Sequence, residues 1–455
     1  MVIGVDTNII LIDSKSILNL TEEGDTIILS QTVLQEVDNF KSKMSEIGYQ
    51  AREFGRMLNK TTYVSSDTSG DVLTITLELQ GRKLKVVSHK DYKLDRSSSS
   101  YNDEKIIKDN LYFNSKFYTN DTLCRILAIA SGLEAEQVKE VEKISYDFFK
   151  TIEIDNQETF RKLHNTPIKD IDSEYEIENY SYKFIDTTSG QAKLASIVNE
   201  TISIIGKDTE DKIRRQNCAP IGGEQLLASK SILDPSIDLT VIEGKAGSGK
   251  NIVAVSSAMK LMDTERDKYT KLIYLRNPVD DVGNPDEEIG FLSTNEGKKE
   301  VYLGALEDTL QFIVRNKIKK KNSETTSEYE GRVLKELEKI LDRYQIESLI
   351  TLGLRGRTFT NAVVILDEWQ NAGSATSQKV LTRIGENCKV IVIGSLNQID
   401  SKYLTKFNNG LSILMQEASK RSVDSNINMF AINLVKAKRS AMCDFAEKTF
   451  EKIRN

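Results

Sequence analysis

The residues best equipped for chemistry are Gly244 to Asn251, GKAGSGKN, set between the apolar run Leu239 to Ile242 and the helix-like run Ile252 to Met262. Glycines at this spacing let backbone N–H groups converge on an anion, and a lysine at a helix N-terminus adds positive charge. Gly244, Lys245, Ala246, Gly247, Ser248, Gly249, Lys250 and Asn251 therefore form a candidate phosphate cradle. The pattern G-x-x-x-x-G-K-[ST] is met except at its last position, where Asn251 replaces the hydroxyl that would ligate Mg²⁺; its carboxamide oxygen can still serve as a ligand. More than a hundred residues on, the apolar run Ala362 to Leu366 ends in Asp367-Glu368. A buried strand delivering that pair suits ATP hydrolysis, with Asp367 holding Mg²⁺ through its water shell and Glu368 orienting the attacking water. A further strand, Lys389 to Ile393, ends in GSLNQID, where Gln398 is a candidate sensor of the γ-phosphate. Arg439, in VKAKRS, is placed to reach phosphate in its own or a neighbouring subunit. Upstream, Gln225 in GGEQLLAS offers donor and acceptor together to the adenine edge, while a surface glutamine at a helix start explains it equally well.

A second set is acidic. Val2 to Val5 is a β-branched run ending in Asp6-Thr7-Asn8, which reads as a buried strand delivering Asp6 to the edge where α/β sheets place ligands. The β-rich run Thr26 to Leu29 leads into QTVLQEVDNFK, where Val33, Leu34 and Val37 share a helical face flanked by Glu36 and Asp38. SYNDEKII puts Asp103 at a helix start, and KFYTND ends a strand on Asp121 before the helix-like run Leu123 to Ala130. Clustered carboxylates without basic partners repel one another, and a divalent cation relieves them. Asp6, Glu36, Asp103 and Asp121 are thus candidate ligands for Mg²⁺ or Mn²⁺ in phosphodiester cleavage. Taken singly, Asp6 and Asp103 also suit helix caps, and Glu36 a solvated helix face.

The elements that must position these groups alternate as in α/β folds. Asp67 to Ser100, with its serine run from Ser97, reads as an exposed hairpin and loop. From about Ser145 to Arg215 the chain becomes acidic and aromatic, with short alternating runs that read as a small β-rich connector turning at Asn156 and Ser189-Gly190. Tyr175, Tyr180, Tyr182 and Phe184 there suit either a half-buried sheet or a base-stacking surface, and His164 stands alone as a structural residue. Further on, Lys271 to Leu275 is a β-run ending in Arg276, and Val333, Leu337, Ile340 and Leu341 recur at helical spacing as core.

Composition narrows the classes. With 455 residues the chain has room for about three domains, and 29% charged with 39% hydrophobic residues is the balance of a folded chain. A net charge of -6 supplies no general basic field, so a nucleic-acid partner must meet local patches such as Lys317 to Lys321. Two histidines, His89 and His164, leave little for a histidine zinc site or a Ser-His-Asp triad. Four dispersed cysteines, Cys124, Cys218, Cys388 and Cys443, form no C-x-x-C pair and fit a reducing cytoplasm. No run is apolar for long enough to span a bilayer, so no membrane association is expected, and VIGVDTNIILI lacks a leader's basic region.

VDTNIIL, TVLQEVDNFK with the following Ala51-Arg52, NDEKII and YTNDTLCRILAIASGL together resemble a PIN-domain nuclease over the first third of the chain. The resemblance implies a metal-dependent ribonuclease with Asp6, Glu36, Asp103 and Asp121 as ligands, and Asn8 and Asn120 at less exacting positions. From Ala219 onward, GKAGSGKN, LRGRTF, ILDEWQN, LTRIG, GSLNQID and VKAKRS resemble the PhoH family of ATPases, relatives of superfamily 1 helicases. The whole chain thus resembles the PIN–PhoH fusion proteins. That implies a PIN-like domain with a parallel sheet over 1–144, a β-rich connector over 145–215 and a RecA-like P-loop ATPase domain over 216–455. It also implies ATP and Mg²⁺ or Mn²⁺ as cofactors, single-stranded RNA as partner, and a hexameric ring. Arg355 and Arg357 fall in the family's RGRT loop, and Arg383 and Arg439 become candidates for contacting nucleotide across a subunit interface. Three departures stand out: Asn251 in the phosphate loop, Ser395 where the family has Asp, and IGFLSTNEGKK without the proline and acidic pattern usual after GFL. Slow ATP hydrolysis is expected from them. An ATP-binding regulatory oligomer and a DNA-processing enzyme remain the competing readings.

Overall fold

The computed structural model describes residues 1–42, 46–94, 100–138, 148–174, 181–198, 200–277, 295–351, 354, 356–401, 404–419 and 427–435. Contacts divide the chain into two units, Met1–Lys143 and Ile144–Asn455.

In the first unit the order is β1 (Val2–Val5), α1 (Thr7–Ile12), α2 (Ser16–Asn19), β2 (Thr26–Ser30), α3 (Gln31–Phe40) and α4 (Glu46–Leu58). There follow β3 (Thr62–Ser69), β4 (Val72–Leu79), β5 (Arg82–His89), α5 (Tyr101–Tyr112), β6 (Lys116–Tyr118), α6 (Thr122–Ala130) and β7 (Ala135–Glu136). The sheet order is β3-β4-β5-β2-β1-β6-β7, with β5, β2, β1, β6 and β7 parallel. Ile3, Val5, Ile27, Ile28 and Leu29 are buried, as runs covered on both faces require. The expected exposed hairpin and loop is corrected in part. β3, β4 and β5 form an antiparallel ribbon, but β5 also pairs with β2 from Thr26↔Lys83 to Ser30↔Val87. The reason is apolar: Val72, Leu79, Leu84 and Val87 of the ribbon are buried, so the insertion widens the main sheet. Asp109 of α5 is fully buried and meets His89 Nδ1 at 2.7 Å and the Tyr92 hydroxyl at 3.2 Å, which fastens that helix to the ribbon.

The second unit opens with β8 (Phe149–Ile154), α7 (Gln157–Lys162), β9 (Ser181–Asp186), β10 (Ala192–Val198), β11 (Thr201–Ile204) and α8 (Lys207–Arg214). These build a four-stranded sheet, β11-β10-β9-β8. Tyr182 and Phe184 are buried and stacked with ring centroids 5.4 Å apart, so these two are core and offer no base-stacking surface; Tyr175 and Tyr180 lie outside the described residues. Asn156 caps α7, and His164 Nδ1 accepts from the Ile204 N–H at 3.3 Å. Phe148, Phe149, Leu194 and Ile205 pack into the larger core that follows.

That core belongs to α9 (Gly223–Leu233), β12 (Leu239–Gly244), α10 (Lys250–Thr264), β13 (Lys271–Arg276), α11 (Asn295–Lys317), α12 (Thr326–Arg343), β14 (Glu347–Ile350), β15 (Ala362–Asp367), α13 (Ser374–Leu381), β16 (Cys388–Gly394), α14 (Gly410–Ser419) and β17 (Met429–Leu434). Its six strands run parallel in the order β14-β13-β15-β16-β12-β17. Both sheet faces are apolar, with Ile242, Tyr274, Ile365 and Ile393 on one core cluster and Val241, Ile273, Val364 and Val392 on the other. In α12 the expected stripe holds for Val333, Leu337 and Ile340, whereas Leu341 is 38% exposed, because it falls off the face turned to α11. Among the described residues no helix is long and apolar enough to cross a membrane.

One contact in the first unit explains a glycine inside a strand. A Cβ on Gly4 would sit 1.5 Å from Asn110 Oδ1. Asn110 is fully buried, donates to the Ile106 carbonyl at 2.8 Å and accepts from Ser115 Oγ at 2.7 Å. Gly4→Ala is expected to destabilise that unit by about 2–4 kcal/mol, through overpacking and an orphaned amide. Hydrogen exchange in the full chain should quicken across α5 and β6 and stay unchanged in α10 and β15.

Candidate functional site

In the second unit, the parallel register brings the carboxyl ends of β12, β16, β15 and β13 to one edge, where Gly244, Gly394, Asp367 and Arg276 lie. This is the edge at which open α/β sheets bind ligands. Gly247 and Gly249 adopt φ of 71° and 88°, a conformation that favours glycine, and Gly249 caps the N-terminus of α10. A Cβ on Gly244 would meet Ser248 Oγ at 2.7 Å, so the loop closes on itself only with glycine there. Lys250 Nζ donates to the carbonyls of Gly244 at 2.6 Å and Lys245 at 3.1 Å, which holds the ammonium over the loop. Ser248 Oγ and Ser395 Oγ are buried without a hydrogen-bond partner among the described residues. Buried hydroxyls are ordinarily paired, so two orphans at this edge fit a polar ligand.

Asp367 is 1% exposed. Burial, then the neighbouring Glu368, push its carboxyl up to about 6, while bonds from Tyr274 and the Glu368 N–H and the charge of Arg276 pull the other way. A divalent cation would supply the missing positive charge, so the donor set fits Mg²⁺. Glu368 sits at φ 54°, ψ 41°, a strained setting for a residue with a side chain and one found at functional sites. Its Oε2 accepts from Gln370 Nε2 at 2.6 Å; that amide also donates to the Gln398 carbonyl at 2.9 Å and accepts the Ser395 N–H at 3.0 Å. Gln370 and Tyr274 escaped the sequence reading. The signal for Gln370 was its place in DEWQ, two residues past Glu368, whereas Tyr274 was indistinguishable from core.

Several expected roles shift. Gln225 is buried and its carboxamide accepts from the Ile221 N–H at 2.7 Å and donates to the Ser248 carbonyl at 2.8 Å, so it braces the loop rather than presenting both ends to adenine. Gln398 contributes its backbone to the Gln370 network while its side chain is exposed. Arg383 lies at the opposite sheet edge, its carbonyl accepting from Phe359 N–H ahead of β15, too remote for the loop of its own chain. Arg357 pairs with Glu347 at 2.6 Å, and Lys317 with Glu336 at 2.9 Å. Asn251 Nδ2 meets the Tyr274 hydroxyl at 3.2 Å. Arg355, Arg439, Pro278 and Cys443 lie outside the described residues.

In the first unit, Asp6 follows β1 and is 6% exposed. It accepts from the Thr7 N–H at 2.6 Å, Asn8 Nδ2 at 2.5 Å and Thr119 Oγ1 at 2.7 Å. Burial pushes its carboxyl up to about 6, with Asp103 and Glu36 adding repulsion. Asp103, in the first turn of α5, is raised by burial and then by Asp121 and Glu36. Glu36 accepts from Thr7 Oγ1 at 2.5 Å and Asn102 Nδ2 at 2.8 Å. β6 ends at Tyr118 rather than on Asp121, which instead caps α6 through the N–H groups of Leu123 and Cys124. Asn8 Oδ1 accepts from the Asn120 N–H at 3.2 Å. Asp6 feels the charges of Asp103 and Glu36, and Asp103 those of Asp121, Glu36 and Glu104, with no basic residue among the leading influences on either, so the donor chemistry fits a hard cation. Among the described residues, though, no group of three or more His, Cys, Asp or Glu is drawn together closely enough to hold an ion as it stands.

A parallel sheet with a glycine-rich loop after β12 and a buried aspartate ending β15, followed by Glu368, defines a nucleotide-binding fold of the P-loop class. Two family models match: one described as PhoH-like protein over residues 217–451, and one described as PIN domain over residues 3–139. The chain belongs to the PhoH-like protein family and carries a PIN domain ahead of its PhoH-like ATPase domain. It is 25% identical over 465 residues to Protein PhoH2 of Bacillus subtilis, covering 97% of this chain and 98% of that one. Protein PhoH2 of Thermobispora bispora is 24% identical over 408 residues, covering 87% and 86%. A PhoH-like protein of Synechocystis sp. is 34% identical over 166 residues, 36% of this chain and 43% of that one.

The raised Asp367 carboxyl yields a test. A folded value near 6 against 3.8 means that the protonated form favours folding; that stabilisation is complete below pH 3.8 and lost as pH rises through about 6. Asp367→Asn should therefore stabilise the nucleotide-free chain at pH 8 by on the order of 1–3 kcal/mol, the gain fading toward pH 4. Thermal melts across that range check it.

Proposed function

We propose that the chain couples an ATP-driven RNA translocase or helicase to a metal-dependent ribonuclease, with slow ATP turnover. The observation that carries this reading is the pairing, in one polypeptide, of a phosphate loop and a buried Asp367 followed by Glu368 with a separate set of acids that has no basic residue among the leading influences on Asp6 and Asp103. The proposed organisation is a nuclease domain over 1–144, a connector over 145–215 and an ATPase domain over 216–455.

In the ATPase domain, Lys250 and the N–H groups at the start of α10 bind phosphate, Asp367 and Asn251 face the cation, and Glu368 orients water. Gln370 restrains the Glu368 carboxylate through its 2.6 Å bond. Bound Mg²⁺ would supply charge neutralisation at the phosphates. In the nuclease domain, Asp6, Glu36, Asp103 and Asp121 would hold Mg²⁺ or Mn²⁺, which lowers the pKa of bound water. Thr7, Thr119, Asn102 and Asn8 set the orientation of the carboxylates. The proposed partners are single-stranded RNA, met in part by exposed Lys319 and Lys321, and five further copies in a cytoplasmic hexameric ring. Arg383, remote from its own loop, supports a nucleotide contact from a neighbouring chain, with Arg439 as a second candidate.

One observation favours a second reading, an ATP-binding oligomer in which neither site turns over efficiently: Asn251 lies against Tyr274, and Ser395 brings no carboxylate. The test is cleavage of a labelled single-stranded RNA and of matched DNA in Mg²⁺ or Mn²⁺. Cleavage of the RNA is expected, reduced at least about tenfold in Asp6→Asn and in Asp121→Asn with ATP binding intact. Lys250→Ala should cut ATP turnover by on the order of 100-fold. Absent cleavage with ATP-dependent assembly would select the second reading, and equal cleavage of DNA a DNA-processing role.

A further inference from the structure

The hydroxyl missing from the phosphate loop has a counterpart on a neighbouring strand. Tyr274 is fully buried in β13, in register with Ile365 of β15. Its hydroxyl donates to Asp367 Oδ2 and accepts from Asn251 Nδ2 at 3.2 Å. The other oxygen of Asp367, Oδ1, accepts from the Glu368 N–H at 2.9 Å. One phenol thus joins the first turn of α10 to the end of β15, elements whose own strands, β12 and β15, are separated in the sheet by β16.

Packing does not account for that oxygen. Phenylalanine would fill the same apolar space without burying a polar atom, which is costly unless bonded. Both of its partners belong to the nucleotide site. Holding Nδ2 of Asn251 also decides which end of the carboxamide is free: Oδ1, the only atom of that side chain able to ligate a cation, has no donor among the described residues.

We infer that Tyr274 is a positioning residue of the magnesium–nucleotide site, whose hydroxyl makes good the one lost at Asn251 by joining Asn251 and Asp367 in a single hydrogen-bonded unit. The inference rests on the reading of this unit as an ATP site. Tyr274 fixes the Asn251 rotamer with Oδ1 available, and fixes the Asp367 carboxylate against rotation. Its contribution is to the part of nucleotide affinity that depends on magnesium, and not to the contacts of Lys250 and the loop N–H groups with phosphate.

Calorimetric titration of the full chain with ATP, once in Mg²⁺ and once in EDTA, separates these parts; the ratio of the two dissociation constants is the magnesium tightening. Tyr274→Phe is expected to lower that ratio about threefold to tenfold while leaving the EDTA constant unchanged. Adding Asn251→Thr to Tyr274→Phe should restore the ratio, because the hydroxyl then returns to the loop. An unchanged ratio in Tyr274→Phe, or parallel weakening in Mg²⁺ and EDTA, overturns the inference and leaves the ATP site standing. Failure of the native chain to bind ATP at all overturns the site reading itself. Should Tyr274→Phe fail to fold, Asn251→Ala serves: a lower ratio supports the unit and an unchanged one overturns it.

Discussion

Burial of Asp367 at the end of β15 is the constraint around which the second unit is arranged. A carboxylate in an apolar sheet is unfavourable without donors or a counter-charge, and here it has two donors and one nearby positive charge. Tyr274 reaches across from β13, the Glu368 N–H turns back in a left-handed conformation, and Arg276 lies opposite in register. The left-handed backbone at Glu368 accompanies two contacts, its N–H donating to Asp367 and its carboxylate accepting from Gln370. The first unit meets the same difficulty at Asp6 with smaller means: the Thr119 hydroxyl, the Asn8 amide and the Thr7 N–H.

The two sites differ in readiness. At the phosphate loop the glycine conformations and the brace from Gln225 hold the backbone in a shape that suits an anion. Preorganisation of that kind lowers the ordering cost of binding. In the acid cluster, Asp6, Glu36 and Asp121 are each engaged by neighbouring donors, while burial and the charges of Asp121 and Glu36 raise the Asp103 carboxyl.

What could be read from the chain alone followed local rules. Gly247 and Gly249 announce backbone that residues with side chains avoid, and the β-branched runs before Asp6 and Asp367 announce parallel strands buried on both faces. Hydrogen-bond partners brought together by tertiary packing left no such mark. Tyr274 sits in KLIYL as one apolar residue among others, and only the register with β15 reveals that its oxygen meets a carboxylate. Gln225 was legible as a polar residue at a helix start, but its choice between adenine and the loop depended on where Ile221 and Ser248 came to lie. The β3 to β5 ribbon was recognisable as a hairpin, while its addition to the main sheet depended on which edge of β2 lay open.

That ribbon also determines how the first unit ends at its flanks. On one side β3 exposes all its residues, reads TYVSSDTS, and breaks register with β4 between Tyr63 and Ser65. On the other side the sheet stops at β7, only two residues long. A border whose register is broken and a border of only two residues are two independent ways of disfavouring strand addition from another molecule. The open seven-stranded sheet thus presents little at either flank for another chain's strand to extend.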